Sequence, residues 1–350
     1  MLDTDNSSAL PRGSLILVTG ASGYIASNFV IEALEAGYKI RGNARSVDKA
    51  ERTKKIFSSP NYDAIVVPEM EPEGAFDEAV IGVDAIVHMS SPVTFSPIPK
   101  EVVPPAVKGA TSIMRSAMTE SKVKRFVFTS SSAAACMLVP NKKFKINKNS
   151  WNSEIEDWVD PPPPYFPENA FNIYAASKTR AELAVWDFLK VQKPNFVVNC
   201  VSHLAAHPSG SKLTGVQVLP SFNTGRVVDS PGETGGLVCN AFNGAVKWDT
   251  PPQYMIDVVD CARIHLTALL DESLENERIL AYNVPFNFNV VLDTFRDLFP
   301  NRSFVENQEQ GEDLSEVDNA LGAELLVKWY GQKGYTPLKH SLKQNVQRLL

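Results

Sequence analysis

The sequence predicts an α/β protein, a doubly wound parallel sheet with a smaller, interleaved C-terminal lobe. Three observations predict it. Short apolar, β-branched runs alternate with helical patterns through the first two hundred residues. A glycine turn, TGASGYIA, directly follows the first of those runs. After residue 200 the regularity gives way to stretches rich in Gly, Pro and Asn. Alternation of this kind builds βαβ units whose sheet lies buried between helices.

Taken in order, the expected strands are LILVT (15–19), YKIRGNA (38–44), AIVV (64–67), AIVH (85–88), RFVFTS (125–130) and FVVNCV (196–201). Helical patterns fall between them at 24–36, 47–57, 74–81, 103–120 and 173–192. The run PPPP at 161–164 stiffens the approach to the last of these, because proline fixes φ and removes a donor. Further helical pieces are expected near 258–270, 289–298, 313–328 and 338–349. The chain therefore divides into a tail at 1–13, a first domain at 14–201, and a lobe at 202–350 with segments that return to the first domain. No internal repeat is visible.

Composition excludes several classes. A net charge of −6 disfavours a nucleic-acid partner, which needs clustered positive charge. No apolar run approaches the roughly 18 residues of a membrane helix. The start, MLDTDNSSALPRG, lacks the apolar stretch of a secretory signal, so a cytoplasmic protein is expected. Cys136, Cys200, Cys239 and Cys261 stand far apart, which suits free thiols in a reducing compartment. Neither they nor the five histidines show ligand spacing, so no metal is expected.

The glycine turn carries the first chemistry. Gly20 and Gly23 permit a tight strand-to-helix turn and close approach of backbone N–H groups to a pyrophosphate, and small Ala26 lets the helix sit tightly on the sheet. The expected cofactor contacts are Gly20, Ser22, Gly23, Tyr24 and Ile25, in a Rossmann-type domain. The second strand ends NARS. An NAD site places an acid there for the ribose hydroxyls, whereas Arg45, with Lys49 nearby, suits the extra phosphate of NADP.

NIYAASKTRAELAVW, residues 172–186, puts Tyr174 and Lys178 one helical turn apart. The pair reads equally as a packed aromatic beside a solvated charge, or as a phenol whose acidity a cation adjusts. A second such pair, Tyr335 and Lys339, is interrupted by Pro337 and follows Gly334, so no continuous helix aligns it.

Taken together, TGASGYIA, RFVFTSSSA, YAASK and DVVDCARIH resemble the extended short-chain dehydrogenase/reductase family. The likeness is nearest to fungal NADPH-dependent carbonyl (aldehyde and ketone) reductases and to dihydroflavonol 4-reductase-like enzymes. GYKIRGNARS, SWN at 150–152 and QGEDLS at 310–315 extend it over the whole chain. The resemblance implies reduction of an aldehyde or ketone to an alcohol with NADPH. Tyr174 would be the proton donor, and Lys178 would lower its pKa and hold the nicotinamide ribose. TSSS offers Ser130, Ser131 and Ser132 at the end of the fifth strand, and the likeness favours Ser131 as the residue that orients the carbonyl oxygen. It also places Glu69 and Met70 near the adenine, and Met89 and Ser90, after His88, near the pyrophosphate and ribose. Asp257, Asp260 and His265 read as capping and packing residues.

One motif departs from the pattern. After the sixth strand, relatives read LPN, whose proline and following backbone hold the nicotinamide. Here the expected strand runs into NCVSHLAAHPSG, which puts Ser202 and His203 at that place. The departure keeps two other readings open, a lyase, isomerase or cyclase on this scaffold, or an NADPH-sensing protein. The expected partner is a small-molecule carbonyl substrate, walled by 92–98, 133–139, the proline-rich approach and 202–225, with Phe95, Met137 and Phe222 as apolar sides. The expected assembly is a monomer or homodimer.

Overall fold

The computed structural model describes residues 8–92, 95–194, 196–198, 216–246, 248–274 and 277–350. β1 (Leu15–Thr19) leads through the glycine turn into α1 (Tyr24–Glu35). Alternation continues through β2 (Lys39–Ala44), α2 (Val47–Phe57), β3 (Tyr62–Val66), α3 (Asp77–Val80), β4 (Ala85–His88), α4 (Val103–Thr119) and β5 (Arg125–Thr129). β6 (Lys145–Ile146) and α5 (Glu156–Val159) precede the long α6 (Ala170–Gln192) and β7 (Val197–Val198). The remainder comprises β8 (Val216–Pro220), β9 (Phe222–Thr224), α7 (Gly232–Phe242), β10 (Gln253–Asp257), α8 (Val258–Leu270), β11 (Glu277–Ala281) and β12 (Val284–Phe286). α9 (Phe288–Leu298), β13 (Glu316–Val317), α10 (Ala320–Tyr330) and α11 (Leu338–Asn345) complete it.

The large sheet has the order β11-β8-β5-β4-β1-β2-β3, with β7 also beside β5, and its pairs are parallel. Strand alternation sends successive side chains to opposite faces. Ile16 and Val18 enter one core with Phe29 and Leu266, while Leu17 enters the other with Phe126 and Val185. Helices thus cover both faces, as a Rossmann-type sheet requires. The order reverses between β1 and β4, and ligands of such sheets gather at that point, beyond the strands' C-terminal ends.

Two strands of this sheet, β8 and β11, come from beyond residue 201. β7 pairs with Arg125 and Phe126, and β8 continues along the same strand at Val127, Phe128 and Thr129. Val198 and Val216 therefore stand opposite neighbouring residues of β5. Of the expected strand at 196–201, Val197 and Val198 form β7, and VQVLP carries the pairing on along β5; residues 199–201 lie outside the described residues.

Other expectations shift for local reasons. The helix at 74–81 shrinks to α3 because Gly74 and Gly82, with φ of 80° and 75°, bracket it. The helix expected from 313 starts at Ala320, since Glu316 and Val317 give their hydrogen bonds to β6 instead. The lobe also has a small sheet, β12-β10-β9, that its Gly- and Pro-rich sequence did not announce. Its core is aromatic, built from Phe222, Phe242, Trp248, Phe286, Phe288 and Phe295.

Candidate active site

Thr19, at the end of β1, organises the switch point. Its hydroxyl oxygen accepts the N–H groups of Met89 (2.9 Å) and Ser90 (3.0 Å). Its proton then goes to His88 Nδ1, 2.9 Å away, because both lone pairs are taken. His88 is buried, stacks on Phe128, and is pushed down to about 3 by burial and next by Lys178. It is a neutral strut that holds Met89 and Ser90 beside the glycine turn.

The turn uses two of its own donors. Gly20 N–H donates to Asn43 Oδ1 (2.6 Å) and Gly23 N–H to Gly20 O (2.7 Å). What faces outward is the first turn of α1, where Tyr24, Ile25 and Ala26 have no intrahelical acceptor for their N–H groups. The Tyr24 side chain turns away, its hydroxyl lying 3.0 Å from Gly225 O and 3.1 Å from Asn345 Oδ1, either of which accepts its one proton. Only its backbone can serve an anion. Gly20 has φ of 69°, and a Cβ there would stand 2.9 Å from Ser90 Oγ, so the cradle requires glycine. A dinucleotide pyrophosphate fits this turn.

At the other end of the switch point, a cleft of about 310 Å³ is lined by Arg45, Glu69, Met70, Glu71, Pro92 and Glu101. Three residues singled out from the sequence thus meet. Arg45 is exposed at the N-terminus of α2, whose cap is Ser46, while Lys49 is exposed one turn on. Arg41 is occupied, donating to the carbonyls of Ala79 (2.8 Å) and Ile81 (2.7 Å). The three glutamates favour a neutral base in the cleft and leave an anion to the Arg45 side.

The end of β5 sorts the three serines. Ser130 Oγ donates to the buried Glu182 carboxylate, and Ser132 lines a small cavity with Cys136, Tyr254 and Tyr282. Ser131 Oγ accepts from Ala133 N–H (3.2 Å) and is the side chain that lowers the Tyr174 phenol. Tyr174 is raised above the ordinary tyrosine value by burial, and Ser131 pulls the other way. Lys178 is only 5% exposed. Its Nζ donates to Thr129 O (3.1 Å) and lies over the Phe128 ring. Burial, opposed by Glu182, brings it down to about 8. The Thr129 hydroxyl is in turn fixed by His265 Nε2 (2.9 Å), because His265 Nδ1 donates to Cys261 O (2.8 Å).

Phe95 and Phe171 flank Tyr174 with ring centroids at 5.2 and 6.1 Å. Each is 38% exposed, so both form an open aromatic rim. Met137 packs near Ala133, Ile173 and Tyr174. Phe222 is not a wall; it is buried between Trp248 and Phe286. Asp257 caps α8 through Val259 N–H (2.8 Å), and Asp260 accepts from Thr336 and Gln332. Tyr335 and Lys339 diverge, to Asn319 O and to Asp297.

Ser202 and His203 lie outside the described residues. The sequence reading does not single out Leu219 and Pro220, which end β8, or Ser221, which follows them, although they stand next to Thr129 and Ser130; Ser130 N–H donates to Val218 O (3.0 Å). The letters LPS were the available signal, hidden because the expected strand had been ended at residue 201. Among the described residues, no helix is long and apolar enough to cross a membrane, and no cluster of metal-ligating side chains occurs.

Fold and site together define a dinucleotide-type α/β protein with a half-buried tyrosine one helical turn from a buried lysine at its switch point. Residues 16–284 match the NAD dependent epimerase/dehydratase family, and the chain belongs to it, within the extended short-chain dehydrogenase/reductase type. It is 37% identical to aldehyde reductase 2 of Sporidiobolus salmonicolor over 99% of this chain and 98% of that protein. It is 30% identical to the ketoreductase adrE of Penicillium roqueforti, over 97% of each. Among solved structures, yeast methylglyoxal/isovaleraldehyde reductase complexed with NADPH is similar at a TM-score of 0.78 and 25% identity, covering 96% of this chain and 98% of that one.

Proposed function

We propose that this protein reduces an aldehyde or ketone to an alcohol with NADPH. The observation that carries the proposal is the convergence of Ser131, Tyr174 and Lys178 at the C-terminal ends of the strands that hold the glycine turn. The relatives' names point to the same chemistry. The first turn of α1 would hold the pyrophosphate, with Gly20, Ser22 and Gly23 shaping the approach. Arg45 and Lys49 would hold the 2′-phosphate, Glu69 and Met70 the adenine end, and Met89 and Ser90 the ribose side. Leu219, Pro220 and Ser221 stand where the LPN of relatives would, and would back the nicotinamide in place of Ser202 and His203. When bound, NADPH supplies hydride to the carbonyl carbon.

The chain's own residues do the rest. Ser131 donates a hydrogen bond to the carbonyl oxygen and orients it. Tyr174, kept protonated by its surroundings, delivers the proton to that oxygen as negative charge develops. Lys178 lies one turn below, where its charge stabilises the phenolate left behind and so lowers the cost of giving up the proton. The rim of Phe95 and Phe171 favours a substrate with an apolar side.

The test is loss of absorbance at 340 nm with NADPH and a panel of aldehydes and ketones. Tyr174→Phe should lower kcat by about 100- to 10,000-fold, the usual range for general acid catalysis, while NADPH still binds. Saturable NADPH binding with no turnover of any carbonyl, or full activity in Tyr174→Phe, would overturn the proposal.

A further inference from the structure

Glu182 continues the stripe that begins at Tyr174 and Lys178, one turn further along α6, and ends in a fully buried ion pair. Arg278, from β11, donates through Nε to Glu182 Oε1 (2.7 Å) and through Nη2 to Oε2 (3.3 Å). Both side chains are 0% exposed. Ser130 Oγ adds a third donor. Arg278 is itself held by the carbonyls of Lys148 (3.0 Å) and Ser150 (2.6 Å) and lies 4.1 Å over the Trp151 ring. A carboxylate and a guanidinium without water cost stability, and apolar replacements usually pack as well or better. A stability role alone does not explain the pair.

We propose that Glu182, held by Arg278 and Ser130, is a positioning residue of the site, keeping Lys178 charged and fixing the end of β5 that carries Ser131. The proposal rests on the reading of Tyr174 and Lys178 as the reacting pair. Ser130 lies between Thr129, whose carbonyl accepts from Lys178, and Ser131, so one carboxylate reaches both members of the site. Among the described residues, the groups around Lys178 leave no other anion for the task. β5 offers a carbonyl and the Phe128 ring, β4 offers neutral His88, and α8 reaches Thr129 through neutral His265. α4, packed along α6, carries Lys108, which is exposed, and Arg115, which lies over Phe188. Burial alone drives the Lys178 ammonium towards its neutral form, and Glu182, rather than Arg278, is the charge that opposes it.

The sign follows. Removing the negative charge disfavours protonated Lys178, so its titration moves to lower pH. The measurement is a pH titration of lysine labelled with ¹³C at Cε, with the Lys178 resonance assigned by its loss in Lys178→Met. It needs no substrate or turnover, so a failed reductase assay would leave it intact. In Glu182→Gln the midpoint should fall by about half a pH unit or more, a threefold or larger change in proton affinity. The alkaline limb of kcat should fall with it. Glu182→Asp keeps the charge and should titrate like the native protein. If Glu182→Gln does not fold, Glu182→Gln with Arg278→Met is compared with Arg278→Met alone, so that the loss of the arginine's opposing charge cancels, and the midpoint should be lower in the double variant. An unchanged Lys178 midpoint in either comparison, with kcat lowered equally at all pH values, would make the pair purely structural and overturn the proposal.

Discussion

Lys178 is a cation with almost no water around it, held by one carbonyl, one aromatic face and a carboxylate one turn away. Its folded value of about 8 lies below the ordinary 10.5, so the folded chain binds that proton more weakly than the unfolded chain does. The resulting cost is present below about pH 8 and vanishes above 10.5. Lys178→Met should therefore raise stability at pH 6–7, by up to about 3 kcal/mol, with the advantage fading as pH rises through that window. Denaturation midpoints against pH check this, and a variant less stable than the native protein at pH 6 would contradict it. Arg45 is the opposite kind of residue, exposed at the rim of a cleft. Arg45→Ala should weaken NADPH by about 10- to 100-fold, the value of a lost charge-assisted contact, and NADH by much less. Equal losses for both cofactors, by fluorescence titration, would remove the cofactor assignment. The expectation for Arg45 comes from the sequence, because a cation at the end of the second strand suits an added phosphate on the ribose. The uses of Arg41, Ser130 and the Tyr24 side chain were not legible there, since each depends on a partner distant in sequence.

At the scale of elements, the edge of β5 is the telling case. β7 and β8 fill it in sequence, Val197 and Val198 opposite Arg125 and Phe126, then Val216 to Val218 opposite Val127 to Thr129. Parallel pairing requires only that successive backbone groups meet the ladder, so two separated apolar runs can serve as one strand. Deleting residues 199–215, which joins Val198 to Val216, should leave the ladder continuous. The deletion variant should fold, bind NADPH within about threefold of the native affinity, and lose no thermal stability, since a shorter connection lowers the closure entropy. A deletion variant that fails to fold would show that β7 and β8 are not one strand. The sequence reading expects a strand at FVVNCV and none at VQVLP, and no periodicity says that VQVLP reaches the end of β5. Helix ends were misplaced for a similar reason. The chain at 313–319 has polar turn residues compatible with a helix start, but pairing with β6 claims its backbone first.

Across the whole molecule, α1 is the joint between the cofactor turn and the lobe. Glu32, on that helix and 5% exposed, accepts from Arg226 (3.1 Å) and Arg263 (2.8 Å). Asn28 accepts from Arg226 Nε (2.7 Å), and Tyr24 reaches Asn345 near the C-terminus. The helix that follows the glycine turn is thereby tied to the lobe on three successive turns. Glu32→Gln should cost about 2 kcal/mol, less than a fully buried pair because both arginines are partly solvated. It should also weaken NADPH, because the N-terminus of α1 loses its alignment. A chemical denaturation curve with an unchanged midpoint would contradict this coupling.

Local chemistry was enough for part of this protein. A strand followed by Gly20 and Gly23, the alternation of elements, Arg45 after the second strand, and Tyr174 one turn from Lys178 are all written in short stretches, because they depend on neighbours within a turn or a ladder. Three things waited for the tertiary structure: which serine meets the phenol, which segment ends beside it, and which buried charge stands behind the lysine. Each depends on side chains brought together from β5, α6, β8 and β11, and a long-range contact leaves no periodic trace in the chain that makes it.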